Sequence, residues 1–175
     1  LMKHEDETAR IIHNMARIFR NSLVWNKDRV TLRDELELIR CFLEIQQYRF
    51  GERIQYDVQA RSEDLDNLIP KMVVLTLVEN ASIHGIEPLK HGGRIEILFE
   101  HEEERLLLTV RDDGVGMSAE QVQRLYGYMQ RQEEMGERIG LQNVIYRLKL
   151  YYGNRFKLVI RSAPGEGTEI RIMIP

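Results

Sequence analysis

The 175-residue sequence predicts an α+β fold: a two-layer α/β sandwich whose mixed, mostly antiparallel sheet is covered by helices on one face and preceded by a helical hairpin. Three observations carry this. Apolar residues recur with helical period over the first fifty positions, then alternate with period two in several short runs. Two pairs of those runs sit close together as hairpins. The intervening helical segments do not alternate regularly with strands, which disfavours a doubly wound parallel fold.

Taken in order, residues 8–23 place Ile11, Ile12, Met15, Ile18, Phe19 and Leu23 on one helical face. Residues 25–28 interrupt the pattern. Thr31, followed by Asp34 and Glu35, predicts an N-cap with an acidic first turn, and Leu32, Leu36, Ile39, Leu43 and Phe50 carry a second helix to about residue 50. Two helices cannot bury both apolar faces alone, so the hairpin is expected to pack on the rest of the domain or on the same hairpin of another copy. His4 and His13 are expected at surface or partly packed positions. After Gly51, Ile54, Tyr56 and Val58 alternate as a strand, an extended linker being the alternative, and residues 61–69 form a polar connection. The expected boundary therefore divides a hairpin at 1–51 from a domain at 52–175.

A buried helix is predicted over residues 70–84, with Pro70 in its first turn and Gly85 as the left-handed residue just past its end. Thr76, Asn80 and His84 stack at i, i+4 and i+8 as a polar stripe in an apolar helix, with Glu79 beside it. Either these groups face water or something satisfies them: a ligand, a metal or a buried network. Ile95, Ile97 and Phe99, an acidic turn at 102–104 and the run at 106–110 form a hairpin. Ser118 and Gln121 resemble a capping box opening a short helix to about Tyr126, and residues 127–138 are polar and glycine-bounded, as in a mobile segment. Val144, Leu148 and Tyr151 mark another helix ended by Gly153. Two strands close the chain, one with Leu158 and Ile160, the other with Ile170, Ile172 and Ile174, joined by a tight turn at 165–168.

Composition narrows the function. A net charge of −3 with mixed signs declares no basic face, so nucleic acid is not an expected partner. Cys41 is the only cysteine, which excludes an internal disulfide or a thiolate metal cluster. No apolar run approaches the roughly 20 residues that span a bilayer.

Four features then ask for one explanation: the Glu79, Asn80 and His84 helix, the Asp112-Asp113-Gly114-Val115-Gly116 turn, the entry into Gly140-Leu141, and the Gly165-Glu166-Gly167-Thr168 turn. Singly, each glycine-rich turn is most simply a turn. Together they match a nucleotide site. Asp112 at a strand end can accept hydrogen bonds from an exocyclic amine, with glycines that let a flat ring approach the backbone. Asn80 offers an oxygen to Mg²⁺, and the amides of Gly140 and Leu141, opening a helix, can hold phosphate. The segment before them could close over a triphosphate.

In this order the motifs Val78-Glu79-Asn80-Ala81…His84-Gly85, Asp112 to Met117, Ile139-Gly140-Leu141-Gln142-Asn143-Val144…Arg147-Leu148 and Gly165 to Thr168 strongly resemble the ATP-binding domain shared by histidine kinases, type II topoisomerases, MutL and ninety-kilodalton heat-shock chaperones. More narrowly, with Leu43-Glu44-Ile45-Gln46…Arg49-Phe50-Gly51-Glu52-Arg53, the chain is similar to LytS/YesM-type sensor histidine kinases. The resemblance implies a Bergerat-type fold and the cofactors ATP and Mg²⁺. It implies that Asn80 coordinates Mg²⁺, His84 lies near the phosphates and Glu79 is the candidate catalytic base. Asp112 would bind adenine, Gly114, Gly116 and Met117 would shape its pocket, Gly140 and Leu141 would meet phosphate, and Thr168 would support the adenine side. The reaction implied is transfer of the ATP γ-phosphoryl group to a histidine, for relay to a response regulator, in a homodimer.

The chain departs from the family pattern in places. Asp113 stands where Asn is usual, adding a charge beside the adenine pocket, and Leu75-Thr76 replaces Gln-Pro. Arg138 stands where the first glycine of a Gly-x-Gly-Leu pair is usual, which either stiffens the phosphate loop or lets the guanidinium itself meet phosphate. No Pro-His-Phe-like phosphoacceptor motif occurs, and neither His4 nor His13 fits one. The expectation is a cytoplasmic catalytic fragment of a membrane-anchored bacterial sensor, phosphorylating a histidine that lies upstream. A scaffold that binds nucleotide without transfer and an ATP-hydrolysing clamp are the alternatives.

Overall fold

The computed structural model describes residues 2–23, 28–102, 104–130 and 140–175. Helix α1 (Met2–Leu23) starts earlier than the apolar period shows, because residues 3–8 are mostly polar and mark no face. It packs on α2 (Leu32–Phe50), where Asn14 Nδ2 donates to Glu44 Oε2 at 2.8 Å and Arg17 pairs with Glu37. Thr31 caps α2 as expected. Its hydroxyl accepts from the Asp34 amide (3.1 Å), and the Asp34 carboxylate accepts from the Thr31 amide (3.3 Å), a reciprocal capping box.

Before and after α2 the chain forms two strands the sequence did not show, β1 (Arg29–Thr31) and, later, β3 (Leu68–Pro70), paired antiparallel with Arg29 opposite Pro70. Three residues are too few to reveal an alternation. Pro70 therefore ends a strand and does not open the following helix, and the connection expected at 61–69 holds a 3₁₀ turn (Ser62–Asp64) and most of β3.

The main sheet has the order β2-β4-β5-β7-β6, built from β2 (Ile54–Gln59), β4 (Gly93–Glu102), β5 (Arg105–Asp112), β6 (Lys157–Ser162) and β7 (Thr168–Ile174). Only β2 and β4 run parallel; the other pairs are antiparallel, so the sheet is mixed and mostly antiparallel. Ile95, Ile97, Leu108, Val110, Ile170 and Ile172 are buried and form the layer beneath the helices. On the other face Glu96 lies near Arg94 and Arg111, and Glu169 near Arg161 and Arg171, a lattice of charge that suits solvent.

Helix α3 (Val73–Glu79) runs without a break into a π-helical stretch, Asn80–Ile86. Gly85 thus lies inside the helix and not beyond its end. Helix α4 (Ala119–Gln130) opens with the expected capping box, Ser118 and Gln121 exchanging bonds of 2.7 and 3.2 Å, but continues past Tyr126, so the first residues of the segment read as mobile are helical. The remainder of that segment lies outside the described residues. Helix α5 (Leu141–Tyr152) ends at Gly153 as read.

The start of α3 is held from a distance. Met72, its N-cap, has φ of 62°, a left-handed backbone that is rare for a non-glycine residue. Glu35 of α2, fully buried, accepts from the amides of Met72 and Leu75 at 3.0 Å each. Burial raises its pKa, while the backbone amides and nearby Arg147 oppose that rise. Arg147 of α5 also donates to the Lys71 carbonyl (2.6 Å), so α2, α3 and α5 meet at one joint. Leu32, Leu36, Ile39 and Leu43 of α2 share the core of the sheet. Among the described residues no helix is long and apolar enough to cross a membrane.

Candidate functional site

A cavity of about 570 Å³ opens between the α3–π helix, the end of β5, α4 and the start of α5. Its floor is Asp112, placed at the last residue of β5 opposite Thr168 of β7. The Asp112 side chain is buried. Its Oδ1 accepts from the Gly114 amide at 2.9 Å, and the Thr168 amide also donates to the carboxylate. Burial nevertheless pushes its carboxyl up to about 6, helped by the adjacent Asp113 and opposed by those two amides.

The glycines here are there for close approach. A Cβ on Gly85 would stand 2.7 Å from Asp112 Oδ1, and one on Gly114 would stand 2.4 Å from the Gly85 carbonyl. The helix and the Asp112 turn are pressed together with no room for a side chain, and the Val115 amide donates to the Gly85 carbonyl at 2.9 Å.

Asn80 faces Gly140 across the cavity. Its Nδ2 donates to the Thr76 carbonyl (2.6 Å), an orientation that leaves Oδ1 turned towards the α5 entry, where a Cβ on Gly140 would lie 3.2 Å away. Thr76 thereby acquires a place in the polar stripe: its hydroxyl is bonded to the Met72 carbonyl and its own carbonyl steadies Asn80. Gly140 has φ of 58°, and Leu141 and Gln142, at the first turn of α5, border the cavity with amides that have no partner within their own helix. One neutral oxygen suits Mg²⁺, which keeps waters and substrate phosphates as its other ligands. Among the described residues no group of three His, Cys, Asp or Glu stands ready as a cation cage.

Of the residues singled out from the sequence, Asn80, His84, Asp112, Gly116, Met117, Gly140, Leu141 and Thr168 border this one cavity. Gly114 lies behind it, packed on Gly85. Glu79 is half-buried, with its pKa raised by burial, and is not among the lining residues. Arg138 lies outside the described residues. Asp113, read as a charge beside the ring pocket, is not among the cavity-lining residues; its Oδ1 accepts from the Arg94 amide at the start of β4 (2.6 Å), while its charge still raises the Asp112 carboxyl. The sequence reading missed Ser162, whose hydroxyl accepts from the Met117 amide (2.7 Å), donates to the Gly167 carbonyl (2.8 Å) and lies 2.9 Å from Thr168 Oγ1. It also missed Gln121, Arg124, Leu125 and Tyr128, the α4 wall, although their i, i+3, i+4, i+7 spacing was visible as a face.

The pattern of the family described as histidine kinase-, DNA gyrase B-, and HSP90-like ATPase matches residues 65–175, most of the chain. The chain belongs to this family. A pattern described as histidine kinase matches residues 1–54, the α1–α2 hairpin and the start of β2. The chain is 34% identical to the sensor histidine kinase YpdA of Escherichia coli over 97% of its length, and 30% identical to the sensor histidine kinase YesM of Bacillus subtilis over 98%. It is 32% identical to the sensor protein LytS of Staphylococcus haemolyticus over its whole length. It spans under a third of each of these relatives, at 29%, 28% and 30% of their lengths. The fold of this domain is that of the catalytic domain of histidine kinase ThkA (TM-score 0.60, 18% identity, 84% of this chain and 94% of that one). It is also that of the histidine kinase domain of the Erythrobacter litoralis EL346 blue-light activated kinase (TM-score 0.57, 18% identity, 97% and 74%).

Proposed function

We propose that this ATP-binding domain is the catalytic part of a membrane-anchored bacterial sensor histidine kinase and works in the cytoplasm. It transfers the γ-phosphoryl group of ATP to a histidine on a helix upstream of residue 1, in the same or a sister chain, for relay to a response regulator. The observation that carries this is the convergence of Asn80, Asp112 and the Gly140-Leu141 helix start on one cavity in a chain of this family. Asp112 accepts from the adenine amine, with Thr168 and Ser162 steadying that side. The amides of Leu141 and Gln142 take phosphate oxygens. Mg²⁺ held at Asn80 Oδ1 would neutralise charge at the β- and γ-phosphates.

The acceptor imidazole nitrogen attacks the γ-phosphorus, the bond from phosphorus to the β,γ-bridging oxygen breaks, and ADP leaves with that electron pair. The imidazole proton passes to Glu79, whose carboxyl is raised by burial towards the range useful to a proton acceptor. Because Glu79 stands outside the cavity lining, it acts only when the acceptor helix docks at the rim.

We also propose that residues 1–51 belong to the dimerising region of the intact protein. Ile12, Met15, Phe19 and Leu23 form a stripe on α1 turned away from α2, and Phe19 is 63% exposed. The chain supplied with labelled ATP and a separate peptide carrying the acceptor helix should place label on the peptide histidine. Nucleotide binding with no labelled histidine would leave only the scaffold reading, and steady phosphate release from the domain alone would favour the hydrolysing clamp.

A further inference from the structure

The α4 wall of the cavity presents Gln121, Arg124, Leu125 and Tyr128 from one helical face. Among the described lining residues, Asp112 is the carboxylate and Arg124 is the single arginine or lysine, the one side chain with a permanent positive charge. Its guanidinium is exposed and makes no hydrogen bond or ion pair with any described residue. By contrast, Arg147 on the neighbouring α5 is already engaged with the Lys71 carbonyl, and Lys149 with the Tyr128 carbonyl at 3.0 Å.

We infer that Arg124 is the fixed counter-charge of this site and binds the phosphates of the nucleotide from the α4 side, facing the α5 amides across the cavity. The inference rests on the ATP reading above. A triphosphate brings several negative charges into a cavity that already contains a carboxylate. Backbone amides and a divalent ion meet part of that charge, and a planar guanidinium with five donors suits oxygens on adjacent phosphates. An unpaired arginine does not have to break an existing bond to reach them. The α4 helix is thus a ligand-binding element of the site and more than a cover for the sheet, and Arg124 makes affinity depend on the number of phosphates on the ligand.

The experiment is calorimetric titration of the 175-residue chain and its Arg124→Ala and Arg124→Lys variants with Mg-ATP, Mg-ADP and adenosine, at two salt concentrations. Arg124→Ala is expected to weaken Mg-ATP about tenfold, the scale of one charge-assisted contact. It should weaken Mg-ADP less, leave adenosine unchanged and flatten the salt dependence of ATP binding, while Arg124→Lys recovers part of the loss. Because the side chain is exposed, melting temperatures of the free proteins should coincide. Unchanged ATP affinity in Arg124→Ala would overturn the assignment. So would an equal loss for adenosine and ATP, which would place the guanidinium on the base or make its role structural. If the unsubstituted chain binds neither ATP nor adenosine, the nucleotide reading itself fails and the assignment with it; binding of ATP with no effect of the variant defeats Arg124 alone.

Discussion

Asp112 shows how one residue's environment becomes a measurable property. Its carboxyl sits near 6, well above the unfolded value, so its contribution to stability is complete below about pH 4 and is lost as pH rises through about 6. Asp112→Asn should therefore raise the melting temperature at pH 7.5 and leave it nearly unchanged at pH 4. Binding runs the opposite way, because the ionised carboxylate is the better acceptor for an amine. Affinity for ATP should hold above pH 6 and decline below it, and in Asp112→Asn the decline should vanish while the preference for ATP over GTP weakens. Titrations at pH 5 and 7.5 with both nucleotides check this. At Asn80 the expectation is sharper: Asn80→Ala should abolish the Mg²⁺-dependent part of ATP binding, and equal affinity with and without Mg²⁺ in the native chain would refute the metal assignment. Gly85→Ala puts a methyl 2.7 Å from a carboxylate oxygen that Gly114 and Thr168 hold in place. It should lower ATP affinity at least as much as it lowers stability, by an overpacking cost of about 1–3 kcal/mol.

At the scale of elements, the informative contact joins α2 to α3. Glu35 is 37 residues from Met72, yet it meets the first amides of the helix whose opening was expected at Pro70, and Met72 there has a left-handed backbone. Removing a buried partner exposes the full cost of unsatisfied amides. Glu35→Ala should cost about 2–4 kcal/mol when the unmet amides are added to the lost packing. A domain of this size loses about 2–4 °C of melting temperature per kcal/mol, so thermal unfolding resolves the change easily. The helix this cap steadies is the one that carries Asn80.

For the molecule as a whole, the α1 stripe and the cavity are separate surfaces of the described residues. If residues 1–51 dimerise as proposed, Phe19→Glu should shift sedimentation towards the monomer without changing ATP affinity, since none of the described cavity-lining residues lies on α1. Mg-ATP at a hundred times its dissociation constant should stabilise the chain by about 2.7 kcal/mol, visible as a shift in melting temperature that in Asn80→Ala falls to the shift ATP gives without Mg²⁺.

By itself the sequence determined the helices with a clear apolar period, the long strands, the Thr31 and Ser118 caps, and Asn80, Asp112 and Gly140 as residues to look for at one site. Each of these is written in spacings of a few residues, and local hydrogen bonding enforces them. Only the tertiary structure decided the rest. It set the sheet order, the β1–β3 pair, the capping of α3 by Glu35, the reason for a glycine at 85 and the presence of Arg124 in the cavity wall. These depend on contacts between residues tens of positions apart, where register and packing settle the outcome and the local pattern carries no trace of the partner. Gly85 is the plainest instance: the sequence showed a glycine near a helix end, and the physical cause turned out to be a carboxylate 27 positions further along the chain.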